Sequence, residues 1–239
     1  MSYNEKEQPM EITKPYLYET HLHTAPVSRC ATSSVRQMLT FFRELGYAGV
    51  FITNHFIGGN INIDYTVPYE ERVRFYFADY EEGVRIGQEI GLAVFCGMEL
   101  CTGGGTEFLV YGLGREWFLS HPDIIKISPK ERLIMLREAG ALVVQAHPFR
   151  EASYIPRIAL FPRDVHGVEV YNAVNRDSVN EMGRLYAEHY GLLPFAGSDI
   201  HTTEQRRLGG MQSDTPVRDE RDFIERFLSG EITPFRKEI

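Results

Sequence analysis

The sequence predicts an α/β barrel of parallel character. Seven short apolar segments are typical of strands, helical segments separate most of them, and polar residues able to bind metal follow several strand ends. The chain has 239 residues, 43% hydrophobic and 24% charged, and shows no repeat, low-complexity tract or linker. We therefore expect one domain over residues 1–239.

The predicted strands are apolar runs, many of them bounded by glycine or proline. The helices between them carry apolar residues three and four positions apart, and each ends at a glycine. Ser33 or Ser34 is expected to cap the first helix, Ser128 a later one and Asp177 the one after it. The expected strands are residues 15–18, 49–55, 92–99, 107–111, 141–148, 167–172 and 193–201, and the expected helices end before Gly46, Gly91, Gly140, Gly191 and Gly230.

Charge and cysteine content limit the classes of partner and compartment. The net charge of −8 disfavours extended binding to nucleic acid or to an anionic membrane, but is compatible with a small phosphorylated substrate held by a few cations. The three cysteines have no paired spacing, which indicates a reducing compartment. No apolar run is typical of a signal peptide or a membrane span, so we expect a cytoplasmic protein.

Histidines and carboxylates at the predicted strand ends indicate a metal site. His21 and His23 are two residues apart at the end of a strand, so their side chains point to the same face. The carboxyl ends of barrel strands meet at one rim, and N/O donors without thiolate suit zinc, manganese or iron. Such donors are too many for one ion and fit two or three: His21, His23, His55, His147, His201, Glu99 and Asp199.

Five motifs in this order resemble the PHP (polymerase and histidinol phosphatase) domain of metal-dependent phosphoesterases. They are His21-x-His23, Thr53-Asn54-His55, Gly97-Met98-Glu99, Gln145-Ala146-His147-Pro148 and Gly197-Ser198-Asp199-Ile200-His201, and the resemblance spans roughly residues 15–215. It implies a distorted seven-stranded β/α barrel of TIM-like type. It also implies one ion held by His21, His23, Glu99 and Asp199, a second by Glu99 and His147, and a third, where present, by His55 and His201.

The chain departs from the family pattern at two positions. Arg29 stands where members of this family often have a ligand for a third metal, and its guanidinium group could bind a phosphate oxygen instead. Glu107 stands where relatives often have a histidine, and is either a ligand favouring manganese or iron, or a solvent-facing residue. Arg150 follows the His147 motif and is either a phosphate-binding cation or one partner of a surface ion pair. The number of ions therefore stays at two or three.

The leading interpretation is a hydrolase of a small phosphomonoester or short phosphodiester, acting through a hydroxide that bridges the two ions at Glu99. Arg29 and Arg150 are expected to bind the phosphoryl oxygens, and His55 or His201 to protonate the leaving oxygen. An amidohydrolase-type hydrolase also begins with H-x-H, but no lysine ends a strand here to be carboxylated. A non-catalytic, metal-binding regulatory module is a third interpretation.

Overall fold

The structure, a computed structural model, describes residues 14–239; the polar segment 1–13 of the predicted domain lies outside the described residues. Within the described residues, nine strands form one sheet, with six α-helices and a short 3₁₀ helix at Pro122–Ile125 connecting them. The strands are β1 (Tyr16–Leu22), β2 (Gly49–Ile52), β3 (Ala93–Cys101), β4 (Glu107–Tyr111), β5 (Leu142–Gln145), β6 (Gly167–Asn172), β7 (Leu193–Gly197), β8 (Arg207–Ser213) and β9 (Thr233–Glu238). The helices are α1 (Val35–Glu44), α2 (Tyr69–Ile90), α3 (Arg115–Ser120), α4 (Pro129–Glu138), α5 (Asp177–Tyr190) and α6 (Glu220–Leu228).

The sheet curls into a nearly closed barrel. Its strand order is β7-β6-β5-β4-β3-β2-β1-β8-β9. Just beyond β7, Ile200 forms two backbone hydrogen bonds with the end of β1: its carbonyl accepts from the His23 amide at 2.9 Å, and its amide donates to the His21 carbonyl at 3.2 Å. This contact brings the chain after β7 against the chain after β1, so the metal-binding motifs of the first and last predicted strands become neighbours.

Residues 14–239 form nine strands rather than the predicted seven, and β4 runs antiparallel to both of its neighbours. No strand was predicted over β8, a segment that contains Gly209 and Gly210. Both glycines permit close packing: a Cβ on Gly209 would lie 2.8 Å from the Gly197 carbonyl oxygen, and one on Gly210 would meet the carbonyl of Tyr18. The second missed strand, β9, contains a proline, Pro234, and pairs with β8 at the edge of the sheet.

The helices lie close to their predicted positions. Ser34 and Ser128 form capping boxes at the starts of α1 and α4, and α2 spans the predicted residues 69–90. Asp177 is the first residue of α5 rather than its N-cap, which is Arg176. Within residues 14–239, no helix combines the length and apolar character needed to cross a membrane. That residues 1–239 form a single domain stays a prediction.

Aromatic side chains fill the barrel at the level where its parallel strands begin. Phe51 of β2 lies 4.8 Å from Phe95 of β3 and 4.5 Å from Phe223 of α6, measured between ring centroids. Tyr111 closes this layer, since its hydroxyl donates to the Thr20 carbonyl at 2.6 Å. This layer is apolar and closely packed, and the buried polar residues Thr20 and His21 follow its Tyr18 along β1.

Gly197 lies where β7 passes directly against β1, so the packing leaves little room for an alanine side chain. An added Cβ would collide with the Cβ of His21 and would lie 2.9 Å from Glu169 Oε1. We expect Gly197→Ala to lower the free energy of unfolding in urea by about 1–3 kcal/mol. Gly114→Ala is the matched control, because nothing lies within 4 Å of the corresponding Cβ and its φ of −99° suits alanine. Equal losses in the two variants would contradict this packing argument.

Candidate metal centre

The predicted ligands meet at one end of the barrel. His21 lies in β1, and His23 just follows that strand. Three further ligands follow strands β2, β5 and β7, in this order: His55, His147 and Asp199. Glu99 lies near the end of β3. Glu107 begins β4 and reaches the same end because that strand is antiparallel to β3. His201 and Glu107 are half-buried; the others are buried. Four overlapping groups of three have donor atoms within 4.8 Å of one another: His21–His23–Asp199, His21–Glu99–His147, His55–Glu99–Glu107 and His23–His55–His201.

The first group has the spacing expected of ligands to a single cation. His21 Nε2 lies 3.2 Å from Glu99 Oε1 and 3.6 Å from Asp199 Oδ1. His23 Nε2 lies 3.4 Å from Glu99 Oε2 and from Asp199 Oδ1. Both Nε2 atoms are buried without a hydrogen-bond partner. Ligands held about 2.0–2.2 Å from one ion lie roughly 3.0–3.6 Å apart, so this donor set fits a divalent metal.

Glu99 connects this group to a second one. Its Oε1 lies 3.1 Å from His147 Nε2, and its Oε2 lies 2.8 Å from His55 Nδ1. Glu107 faces the same centre, at 3.5 Å from His147 Nε2 and 3.7 Å from His55 Nδ1, rather than facing solvent. Burial and the neighbouring Glu99 carboxylate raise the pKa of Glu107 to about 7. Burial also disfavours the charge on Glu99, but the imidazoles of His21 and His55 outweigh it and lower the pKa of Glu99.

A third group lies nearer the cavity mouth. The His23 ring centroid is 4.4 Å from that of His55 and 4.3 Å from that of His201. His201 Nδ1 lies 2.9 Å from the Asp199 carbonyl oxygen. Because a carbonyl can only accept, Nδ1 carries the proton and Nε2 of His201 keeps its lone pair for a ligand or a proton.

Two of these residues adopt left-handed backbone conformations that are uncommon outside glycine. His147 has φ 26° and Asp199 has φ 51°. Such conformations cost about 1–3 kcal/mol and persist where surrounding contacts fix them. The His147 amide, for example, donates to Glu169 Oε2 at 2.9 Å. His147 and Asp199 each lie just beyond the end of a strand, where the side chain of the residue turns toward the cluster.

Glu169 is a buried residue that the sequence analysis did not identify. Its Oε1 lies 2.8 Å from His21 Nδ1, and its Oε2 also accepts from Asn172 Nδ2 at 3.0 Å. This contact holds the His21 ring with Nε2 toward the cluster, as carboxylates commonly do behind metal-binding histidines. A signal was present, since Glu169 stands between Val168 and Val170 in an otherwise apolar strand.

Glu169→Gln is expected to weaken metal binding by about 10- to 100-fold, because the neutral amide orients the His21 ring less firmly. Competition titration against a fluorescent chelator measures this change. Glu181→Gln is the control, since Glu181 is exposed on α5 and pairs only with Arg184. A dissociation constant equal to that of the wild type would show that Glu169 does not position the ligand.

A cavity of about 610 Å³ opens above the cluster. Arg150 lines it and is ion-paired with Asp199 Oδ2, and it also donates to Asn172 Oδ1 at 3.1 Å and Asn175 Oδ1 at 3.2 Å. Its guanidinium is therefore part of the site wall rather than of a surface ion pair. Tyr154, exposed at the mouth, lines the same cavity.

Arg29 lies away from the cluster. Its residue is exposed, its amide donates to the Asn60 carbonyl at 3.0 Å, and it does not line the cavity. The next residue, Cys30, is also exposed but lines the cavity. Burial opposes the ionisation of the Cys30 thiol, yet interactions with the His201 and His55 imidazoles lower its pKa to about 6. That Arg29 binds a phosphoryl oxygen stays a prediction.

No protein-family model matches the chain. An uncharacterized protein of Methanocaldococcus jannaschii is 34% identical over 99 residues, which is 41% of this chain and 53% of that protein, so the match spans about half of the relative's length. A two-domain protein of Bacteroides vulgatus containing a predicted PHP-like metal-dependent phosphoesterase superposes with TM-score 0.68 and 14% identity, covering 96% of this chain and 69% of the other.

The chain has the PHP fold. An amidohydrolase of Chromobacterium violaceum, solved with sulfate and no metal, shares it with TM-score 0.53 and 14% identity over 90% of this chain and 97% of that one. A lesion-specific endonuclease of Pyrococcus furiosus matches with TM-score 0.54 and 10% identity over 93% of this chain and 57% of that one. Proteins with similar folds thus include an amidohydrolase and an endonuclease, so the fold alone does not identify a substrate.

Proposed function

We propose that this protein is a metal-dependent hydrolase of a small phosphomonoester or a short phosphodiester. One observation carries the proposal: buried imidazoles and carboxylates converge below a cavity whose wall holds the guanidinium of Arg150. The cluster offers ligands for divalent cations, and the guanidinium offers a bidentate partner for a phosphoryl group. A neutral amide substrate would give that guanidinium no anionic partner.

The donor set divides between two ions that share Glu99. His21, His23 and Asp199 would hold the first together with Glu99, and His147 and Glu107 would hold the second. Such ions, once bound, activate water and neutralise phosphoryl charge. Manganese, zinc and iron all fit ligands of this kind.

Arg150 is the residue that we assign to the phosphoryl oxygens. Its side chain is 16% exposed and lies at the cavity wall, so an entering anion reaches it without a large rearrangement. It contacts Asp199 Oδ2, whereas Asp199 Oδ1 faces His21 and His23. Substrate can therefore draw the guanidinium away while Asp199 keeps its orientation through Asn172 Nδ2, at 3.1 Å.

His201 is the candidate donor of a proton to the leaving oxygen. Its side chain is 29% exposed at the cavity mouth, with Nδ1 held by the Asp199 carbonyl, so Nε2 can exchange protons with solvent and substrate. His55 is 7% exposed and its Nδ1 lies 2.8 Å from Glu99, which makes it the less accessible of the two.

A substrate panel tests the proposal. Protein reconstituted separately with manganese, zinc and iron would be assayed on aryl phosphates, aryl phosphodiesters, short oligonucleotides and N-acyl amides. We expect phosphoester hydrolysis that is lost on chelation and restored by metal. Amide hydrolysis without phosphoester hydrolysis would support the amidohydrolase interpretation, and tight metal binding without turnover would support a regulatory module. A preference for oligonucleotides over the small esters would make the substrate a nucleic acid.

A further inference from the structure

A polar network of three buried side chains, Ser28, Asn54 and Asp79, lies behind His23. Ser28 is in the loop after β1, Asn54 follows β2 and Asp79 is in the middle of α2. Ser28 Oγ lies 3.1 Å from His23 Nδ1 and 2.7 Å from Asn54 Oδ1. Asn54 Nδ2 in turn donates to Asp79 Oδ2 at 3.1 Å. Three successive hydrogen bonds thus connect α2 to a predicted metal ligand.

The direction of each hydrogen bond in this network follows from groups that can only donate or only accept. The Thr24 amide donates to Asn54 Oδ1 at 2.7 Å, which fixes the orientation of the Asn54 side chain. Its Nδ2 group accordingly faces the Asp79 carboxylate. Because Asn54 Oδ1 can only accept, the Ser28 hydroxyl donates its one proton to that oxygen. Ser28 Oγ is therefore left with lone pairs only.

These lone pairs determine which nitrogen of the neutral His23 ring carries the proton. The His55 amide donates to Ser28 Oγ at 3.0 Å, and His23 Nδ1 lies 3.1 Å from the same oxygen. His23 Nδ1 must then be the donor of that contact, so Nε2 keeps its lone pair. This Nε2 atom has no hydrogen-bond partner within residues 14–239 and lies 3.4 Å from both Glu99 Oε2 and Asp199 Oδ1.

We propose that the polar network positions His23, holding its ring so that the Nε2 lone pair points into the predicted metal centre. The inference rests on the proposed metal-dependent function and adds no ligand to it. Asn54 sets the direction of the network, because it presents an acceptor to Ser28 and a donor to Asp79. Asp79 acts from α2 through two intermediate side chains, and it is 7% exposed, so water competes little for its carboxylate.

The tautomer of His23 provides a readout that does not depend on activity. Two-bond ¹H–¹⁵N spectra would be recorded on metal-free protein labelled with ¹⁵N-histidine, at a pH where the ring is neutral, with the His23 signals identified by their loss in His23→Gln. We expect the proton on Nδ1. Ser28→Ala removes the acceptor, so the ring should populate both tautomers, and competition titration should show Zn²⁺ affinity about 10- to 100-fold lower.

Ser213→Ala is the matched control for Ser28→Ala. Ser213 is also a buried serine, but it ends β8, and its hydroxyl donates to the Thr215 carbonyl at 2.8 Å. This variant should keep both the Nδ1 tautomer of His23 and the wild-type affinity for Zn²⁺. Equal effects of the two serine substitutions would show that loss of a buried hydroxyl, rather than of this acceptor, is responsible, and would overturn the proposal.

Exchanging the amide and the carboxylate separates positioning from packing. Asn54→Asp alone places a carboxylate oxygen where Asn54 Nδ2 lies 3.1 Å from Asp79 Oδ2, so the two groups repel and Zn²⁺ affinity should fall. Asn54→Asp combined with Asp79→Asn keeps an acceptor toward Ser28 and restores a donor–acceptor pair between the two positions. The double variant should therefore recover the Nδ1 tautomer and most of the lost affinity.

Three results would overturn the proposal: a neutral His23 ring protonated at Nε2 in the wild type, an unchanged tautomer in Ser28→Ala, or no recovery in the double variant. The expected tautomer and tight Zn²⁺ binding in a protein inactive on every phosphoester would uphold the positioning role and refute the proposed function instead.

Discussion

Replacing Glu99 with glutamine is expected to remove the two proposed ions together. It should therefore lower kcat/KM by more than about 10³-fold, which exceeds the loss caused by removing one hydrogen-bond donor to the transition state. The carboxylate contacts His21, His55 and His147 at distances of 2.8–3.2 Å. An amide has the same shape but no negative charge, so it cannot balance two cations. Metal analysis and steady-state kinetics on the purified variant measure both effects.

Glu89→Gln is the control for the Glu99 variant, because Glu89 is exposed on α2 and pairs with Arg36. It should retain wild-type metal content and turnover. If Glu99→Gln kept both ions and its activity, Glu99 would not connect the two groups, and the shared-carboxylate arrangement would be wrong.

Arg150→Ala is expected to lower kcat/KM by about 10²–10³-fold while leaving metal content unchanged. In the proposed function the guanidinium would stabilise charge on the phosphoryl oxygens, whereas Asp199 retains Asn172 as a partner and the imidazoles on its other oxygen. Arg150→Lys should recover only part of the activity, because an ammonium keeps the charge but not the bidentate geometry. Separate kcat and KM values show whether the loss falls on binding or on the transition state.

Arg36→Ala is the matched control, since Arg36 is exposed and pairs only with Glu89. It should leave kcat/KM unchanged. Loss of the metals in Arg150→Ala would mean that Arg150 serves mainly to hold Asp199, and unchanged kinetics would remove it from the substrate site.

The sequence predicted the elements that have strong local signals. Ser34 and Ser128 began their helices, and β4 and β6 have the predicted bounds, because caps and apolar runs act over a few residues. Strand β8 was not predicted because its glycines are required by a tertiary contact. Gly209 packs against Gly197, which lies twelve residues away in sequence and on a different strand. Such contacts are tertiary, and no local pattern reports them.

The metal-binding cluster was predictable because the apolar runs that predicted the strands also show where the strands end. Residues such as His21 and Asp199 follow apolar runs, and strand ends converge in any barrel of this kind. Positions in the loop after β1 could not be assigned from their spacing in the sequence. Arg29 and Cys30 are adjacent, and only the path of the loop determines which of them lines the cavity. Glu169 required knowledge of which face of β6 points toward His21, a matter of register that the sequence alone leaves open.

Anomalous diffraction from crystals of the manganese-reconstituted protein tests the central claim most directly, because it locates bound ions independently of turnover. We expect one peak among His21, His23, Glu99 and Asp199, and a second among Glu99, Glu107 and His147. Both peaks should vanish after chelation. A map with no peak in this cluster, or with manganese bound only elsewhere on the protein, would contradict the assignment of these residues as a metal centre.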